Sequence, residues 1–274
     1  MAVFVAVLAL GVSTVVAALG LRPLGAANRC VAVLPEGTVV ALDLEQSGNA
    51  ALIAAVAVER GLPARAVTIA LATALQESKL INIDYGDRDS LGLFQQRPSQ
   101  GWGTPEQVTD PVYAANAFYD ALVTVPDYQS LPVTEAAQAV QRSGYPEAYA
   151  RHETRARAFA SALTGNSPAS LSCDLDVPPT ATLEARLARD WGAAPLEPWT
   201  GPDGEEWRRV DAATLASAAD GGTAAWSVGQ WAVATAAATG ASAVVVGDRL
   251  WQRGEDWIAA PPDLVQETGV VLVR

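Results

Sequence analysis

The chain is poor in the residues that hold metals and grip polyanions. His152 is the only histidine and Lys79 the only lysine in 274 residues. A zinc site needs three or four converging His, Cys or acidic ligands. A single histidine in a helical surface pattern, Tyr149-Ala150-Arg151-His152-Glu153, therefore argues against a metal centre. Basic residues number 18 against 30 acidic, a formal charge of −12, which argues against nucleic acid as a partner because that requires a basic face. Only two cysteines occur, Cys30 and Cys173. Two thiols can be inert core residues, but in an exported chain they are expected to pair. Such a disulfide closes a loop of about 140 residues, worth about 5 kcal/mol in the chain-entropy model. No internal repeat is apparent.

What is present divides into segments. Residues 2–21 are uncharged and almost wholly apolar, and about twenty such residues suffice to cross a bilayer. Residues 1–27 thus read as a membrane anchor or as a signal sequence with Gly25-Ala26-Ala27 at its cleavage site. Either reading places the remainder outside the cytoplasm, anchored or secreted. All six tyrosines fall between Tyr85 and Tyr149, whereas seven of eight tryptophans lie from Trp191 onward. The Pro- and Ser-rich stretch between them predicts a linker at 166–182, dividing a first domain, 28–165, from a second, 183–274.

The first domain reads as nearly all helix. Ser47 is a candidate cap for a helix ending at Gly61, and Pro63 opens the next, which runs to Ser78. Asp110-Pro111 is a cap and first-turn pair for a helix to Val123. Further helices are expected from Thr134 toward Ser143 and from Pro146 to Leu163, closed by Gly165. Tyr113, Phe118 and Tyr119 read as core. In the second domain, Leu183–Trp191 and Ala224–Ala238 read as helices, and Ala243–Val246 and Val270–Val273 as strands. The expected class is α+β: a mainly helical domain after the N-terminal apolar segment, then a small α/β domain.

Chemistry concentrates between residues 75 and 103. Glu77 closes an otherwise apolar helix whose Val67, Leu71, Ala74 and Ser78 share one face. A carboxyl group against an apolar wall, near the negative end of a helix dipole, keeps its proton to higher pH and can act as a general acid. The loop that follows is rich in Gly, Asp, Gln and Arg, which supply directional hydrogen bonds to a polar ligand such as a sugar.

Two elements here, Glu77-Ser78 and Ser90-Leu91-Gly92-Leu93-Phe94-Gln95-Gln96-Arg97-Pro98, resemble in order the motifs of lysozyme-like, soluble-type lytic transglycosylases. Ala114-Ala115-Asn116 fits the family's next motif, and the resemblance spans about residues 45–165. Its last motif, Ala-Tyr-Asn-Ala-Gly, is replaced by Ala139-Val140-Gln141-Arg142-Ser143-Gly144-Tyr145. The tyrosine hydroxyl that stands near the acid in the family is missing at the aligned position. Tyr145 or Tyr149 can supply it from the next turn, or both are packing residues.

The resemblance implies that Glu77 protonates a glycosidic oxygen of peptidoglycan and then acts as a base, with no cofactor. The substrate's acetamido group stabilises the reacting carbon and its 6-hydroxyl closes a 1,6-anhydro product. Ser78, Gln95 and Asn116 would contact substrate or orient the acid, and Arg88 or Arg97 would meet stem-peptide carboxylates. Asp87 and Asp89 keep a hydrolytic, two-carboxylate route open, against a plainer role in turn formation. The negative charge predicts no electrostatic adhesion to anionic wall polymers. Residues 183–274 faintly resemble the C-terminal domain of actinobacterial wall proteins related to zinc D-alanyl-D-alanine carboxypeptidases. Where those carry a His-x-His strand, this chain ends Gly269-Val270-Val271-Leu272-Val273-Arg274. The seven tryptophans of this part either stack on sugars or build a small core. Two functions follow: cleavage of the glycan strand, or wall binding by a non-catalytic relative that keeps the fold.

Overall fold

The computed structural model describes residues 28–142, 146–216 and 218–274, so the apolar N-terminal segment and Tyr145 lie outside the described residues. The fold mixes helices with two antiparallel sheets. The first sheet has β1 (Arg29–Val33) at its centre, flanked by β2 (Val39–Asp43) and β3 (Leu171–Asp174). Cys30 faces Cys173 in the β1–β3 register, and the two form a disulfide across 143 residues of sequence. The expected linker therefore contains a core strand. β1 and β2 were not foreseen either, in a region expected to be nearly all helix.

α1 (Leu44–Glu59) is capped by Asp43, not Ser47: the Asp43 carboxylate accepts from the Gln46 amide at 2.8 Å, and the Gln46 side chain returns the bond at 3.0 Å. This reciprocal box satisfies two helix-end donors, while Ser47 is buried inside the helix. α2 (Ala64–Ser78) follows Pro63 and buries Val67, Ile69, Ala70, Leu71 and Ala74. α3 (Pro105–Thr109) and α4 (Pro111–Leu122) follow, the latter capped by Asp110 as expected. α5 spans Val133–Gln141. The segment expected as one helix from Pro146 splits into a 3₁₀ turn, Pro146–His152, and α6 (Glu153–Leu163).

The second half holds α7 (Leu183–Trp191), α8 (Ala212–Leu215), α9 (Gly221–Ala234) and α10 (Ala236–Thr239). Its sheet is ordered β4 (Leu196–Thr200), β5 (Glu206–Asp211), β9 (Val270–Val273), β6 (Ala243–Val246), β7 (Arg249–Gln252) and β8 (Ile258–Ala259). Every pairing is antiparallel, so the expected α/β domain is instead antiparallel sheet with helices. β6 and β9 are buried at every position. Side chains alternate between the faces of a strand; accordingly Val244, Val246, Val271 and Val273 join the main core, while Ala243, Val245 and Leu272 pack with Trp207 and Leu250 on the other side. Trp191, Trp207, Trp231, Trp251 and Trp257 are all buried, so these tryptophans build the core.

One continuous apolar core runs through both halves. Gln230 of α9, fully buried, ties them together: its amide donates to the Ala162 and Ser167 carbonyls at 2.6 and 3.0 Å, and its oxygen accepts from the Ser170 and Leu171 amides, both at 3.0 Å.

Candidate functional site

α2 ends at Ser78 because the next two residues leave the helix. Lys79 and Leu80 both take left-handed backbone, at φ 58° and 62°, and the Leu80 amide bonds back to the Ala74 carbonyl at 2.9 Å. Leu80 is fully buried, so the chain turns inward while Glu77 stays half-buried at the helix end. Ser78 is buried, and its hydroxyl donates to the Leu93 carbonyl at 2.7 Å. Next along the chain, the Phe94 carbonyl accepts from the Gln141 amide at 2.7 Å. Phe94 itself is buried and stacks on Phe118, with ring centres 4.6 Å apart. The Gly-Leu-Phe-Gln element thus pins the end of α2 to the end of α5. Gly92 permits this path: its φ is 75°, and a Cβ there would strike the Val108 carbonyl oxygen.

The Tyr149 hydroxyl donates to Glu77 Oε1 at 2.7 Å. Of the two tyrosines considered as replacements, Tyr149 is therefore at the acid, brought there by the 3₁₀ turn and wholly buried. Among the described residues, Glu77 forms no ion pair. Burial raises its pKa above the ordinary glutamate range; the Tyr149 hydroxyl and, more weakly, Gln141 pull the other way. The net effect favours the protonated form.

The remaining candidates separate from this centre. Asn116 on α4 accepts from Arg60 at 2.9 Å and donates to the Val112 carbonyl at 3.0 Å, and none of its bonds reaches Glu77. Gln95, with φ at 49°, turns its amide onto the Tyr85 and Gly92 carbonyls of its own loop. The Asp87 side chain is 94% exposed. Asp89 accepts from Arg97 at 2.8 Å and from the Ser99 amide at 2.7 Å, bonds that hold its carboxyl far below the usual range. Arg97 is thereby committed to Asp89. Asp89 is thus bonded within its own loop, while the Asp87 side chain faces solvent.

Gln141 was missed as a functional group, although it stands in the segment where the family motif departs. It also lines a groove of about 560 Å³ together with Gln100, Trp102, Thr124 and Arg142. A concave, polar surface therefore adjoins the residue that reaches the acid. Comparison with known protein families and with curated proteins returns no match.

Proposed function

We propose that this protein cleaves the glycan strand of peptidoglycan with Glu77 as its single acid and base. The observation that carries the reading is the Tyr149–Glu77 pair: a half-buried carboxyl group with no cationic partner among the described residues, oriented by a buried phenol. In the forward step Glu77 gives its proton to the glycosidic oxygen as the bond from that oxygen to the anomeric carbon breaks. The resulting carboxylate then takes the proton of the sugar's own 6-hydroxyl as that oxygen closes on the anomeric carbon. Glu77 ends protonated, as it began.

A second carboxylate is the usual requirement for hydrolysis. Asp89 has both oxygens engaged and Asp87 points into solvent, which supports the single-acid, 1,6-anhydro route. Mass spectrometry of soluble products from purified sacculi tests the proposal. The intact protein should release anhydro-muropeptides, and Glu77→Gln should lower that release about 10²–10⁴-fold. Undiminished release by the variant would remove Glu77 from the chemistry; no release by the intact chain would favour the non-catalytic wall-binding reading.

A further inference from the structure

The groove beside Gln141 has an unusual composition for this chain. Acidic residues outnumber basic ones 30 to 18 overall, yet none lines this groove, and its one charge is Arg142. Arg142 caps α5 in left-handed backbone at φ 52°, and its side chain is exposed. Four nearby arginines are engaged: Arg60 with Asp120, Arg65 with Glu153, Arg97 with Asp89, Arg151 with Gln76. Among the described residues, the Arg142 guanidinium has neither ion pair nor hydrogen bond. Trp102 lines the same groove, half-buried against the core and held between Gly101 and Gly103, both at positive φ. An indole and an unpaired guanidinium in one groove suit a sugar ring that carries a carboxylate, since the ring can pack on the indole and the planar guanidinium donates to two carboxylate oxygens.

A second groove of about 570 Å³, between α1 and α9–α10, offers no such group: its Arg186 already binds Asp190 and the Gly48 carbonyl, each at 2.7 Å.

We propose that the Trp102–Arg142 groove is a subsite for a carboxylate-bearing aminosugar, with Trp102 under the ring and Arg142 on the carboxylate. The inference rests on the glycan-strand reading above, since Gln141 joins the groove wall to the Glu77 site. It assigns selectivity for acidic over neutral strands to one side chain.

Calorimetric titration separates the two proposals, because it measures binding and not cleavage. With Glu77→Gln as the parent to prevent turnover, three ligands are compared: neutral chitotetraose, glycan strands stripped of peptide so that the sugar carries the carboxylate, and strands bearing stem peptides. Arg142→Gln should weaken the peptide-free strands about fivefold at low salt, leave chitotetraose unchanged, and lose its effect at high salt. A loss confined to the strands bearing stem peptides would put the carboxylate on the peptide and overturn the sugar subsite. Trp102→Ala should weaken all three alike. Equal affinity of the parent for neutral and acidic strands, or indifference to Arg142→Gln, overturns the subsite. Selective binding that persists in a chain releasing no product leaves the subsite standing and removes only the catalytic reading.

Discussion

The two halves each bury a carboxylate, and they treat it in opposite ways. Asp190, at the end of α7, has a fully inaccessible side chain, but Arg186 and Arg189 meet its two oxygens at 2.7 and 2.8 Å. The Trp231 indole adds a bond at 2.9 Å. Every lone pair that matters is answered, and the charge is neutralised locally. Glu77 is less buried yet, among the described residues, pairs with no cation and is met only by neutral groups, the Tyr149 phenol and more weakly the Gln141 amide. The first arrangement fixes a fold; the second leaves a proton available. On the proposed reading, burial alone does not make a proton donor of a carboxyl group: burial without charge compensation does.

The comparison is sharpest if each carboxylate is removed in turn. Asp190→Ala should cost about 3–5 kcal/mol in chemical denaturation, because the largely buried Arg186 then lacks its counter-charge and the buried Trp231 indole its acceptor. A loss below about 1 kcal/mol would mean that Asp190 is not the structural member of the contrast. Ser78→Ala should cost about 1–3 kcal/mol by leaving the buried Leu93 carbonyl without its donor. It should also reduce product release beyond what lost folded protein explains, since that bond anchors the residue next to the acid.

Glu77→Gln should have the smallest effect on stability and one that changes with pH. The folded pKa of Glu77 lies above its unfolded value, so the folded state binds the proton more tightly. Its contribution to stability is full below the unfolded carboxylate range and is lost as pH rises through the folded pKa. The amide that replaces the carboxyl group in the variant does not titrate. The variant should therefore gain on the parent as pH rises across that window, read as a growing difference in melting temperature. A difference that shrinks over the same range would reverse the sign and break the account.

Local chemistry was legible in the sequence; pairing between distant segments was not. Asp110 followed by Pro111 announced α4 because a cap acts on the amides two and three residues ahead. The runs Ala243–Val246 and Val270–Val273 announced strands because both faces are buried and nothing polar interrupts them. β1 and β3 are only five and four residues long and depend on each other across the disulfide, so neither carries its own signal. β5, Glu-Trp-Arg-Arg-Val-Asp, buries only Trp207 and Val210, and two arginines between them blur the alternation. Position 47 was misjudged for a related reason. The reciprocal Asp43–Gln46 box precedes a helix whose apolar stretch begins later, and the later serine looked like the start.

At the site, Glu77, Ser78 and the Gly-Leu-Phe-Gln element were readable as a unit. Tyr149 was readable only as one of two choices, since its reach to Glu77 depends on the tighter 3₁₀ turn of Pro146–His152. Asn116 is the converse case. Its place in a motif suggested a substrate contact, whereas Arg60 from the end of α1, 56 positions away in sequence, occupies it.

The central claim is the protonation of one side chain, and carbon-13 NMR of the Glu77 carboxyl carbon titrates it directly. The account predicts a midpoint above the ordinary glutamate range, moving higher still in Tyr149→Phe, which withdraws a hydrogen bond that favours the carboxylate. A midpoint at or below the ordinary range, unmoved by Tyr149→Phe, would contradict it.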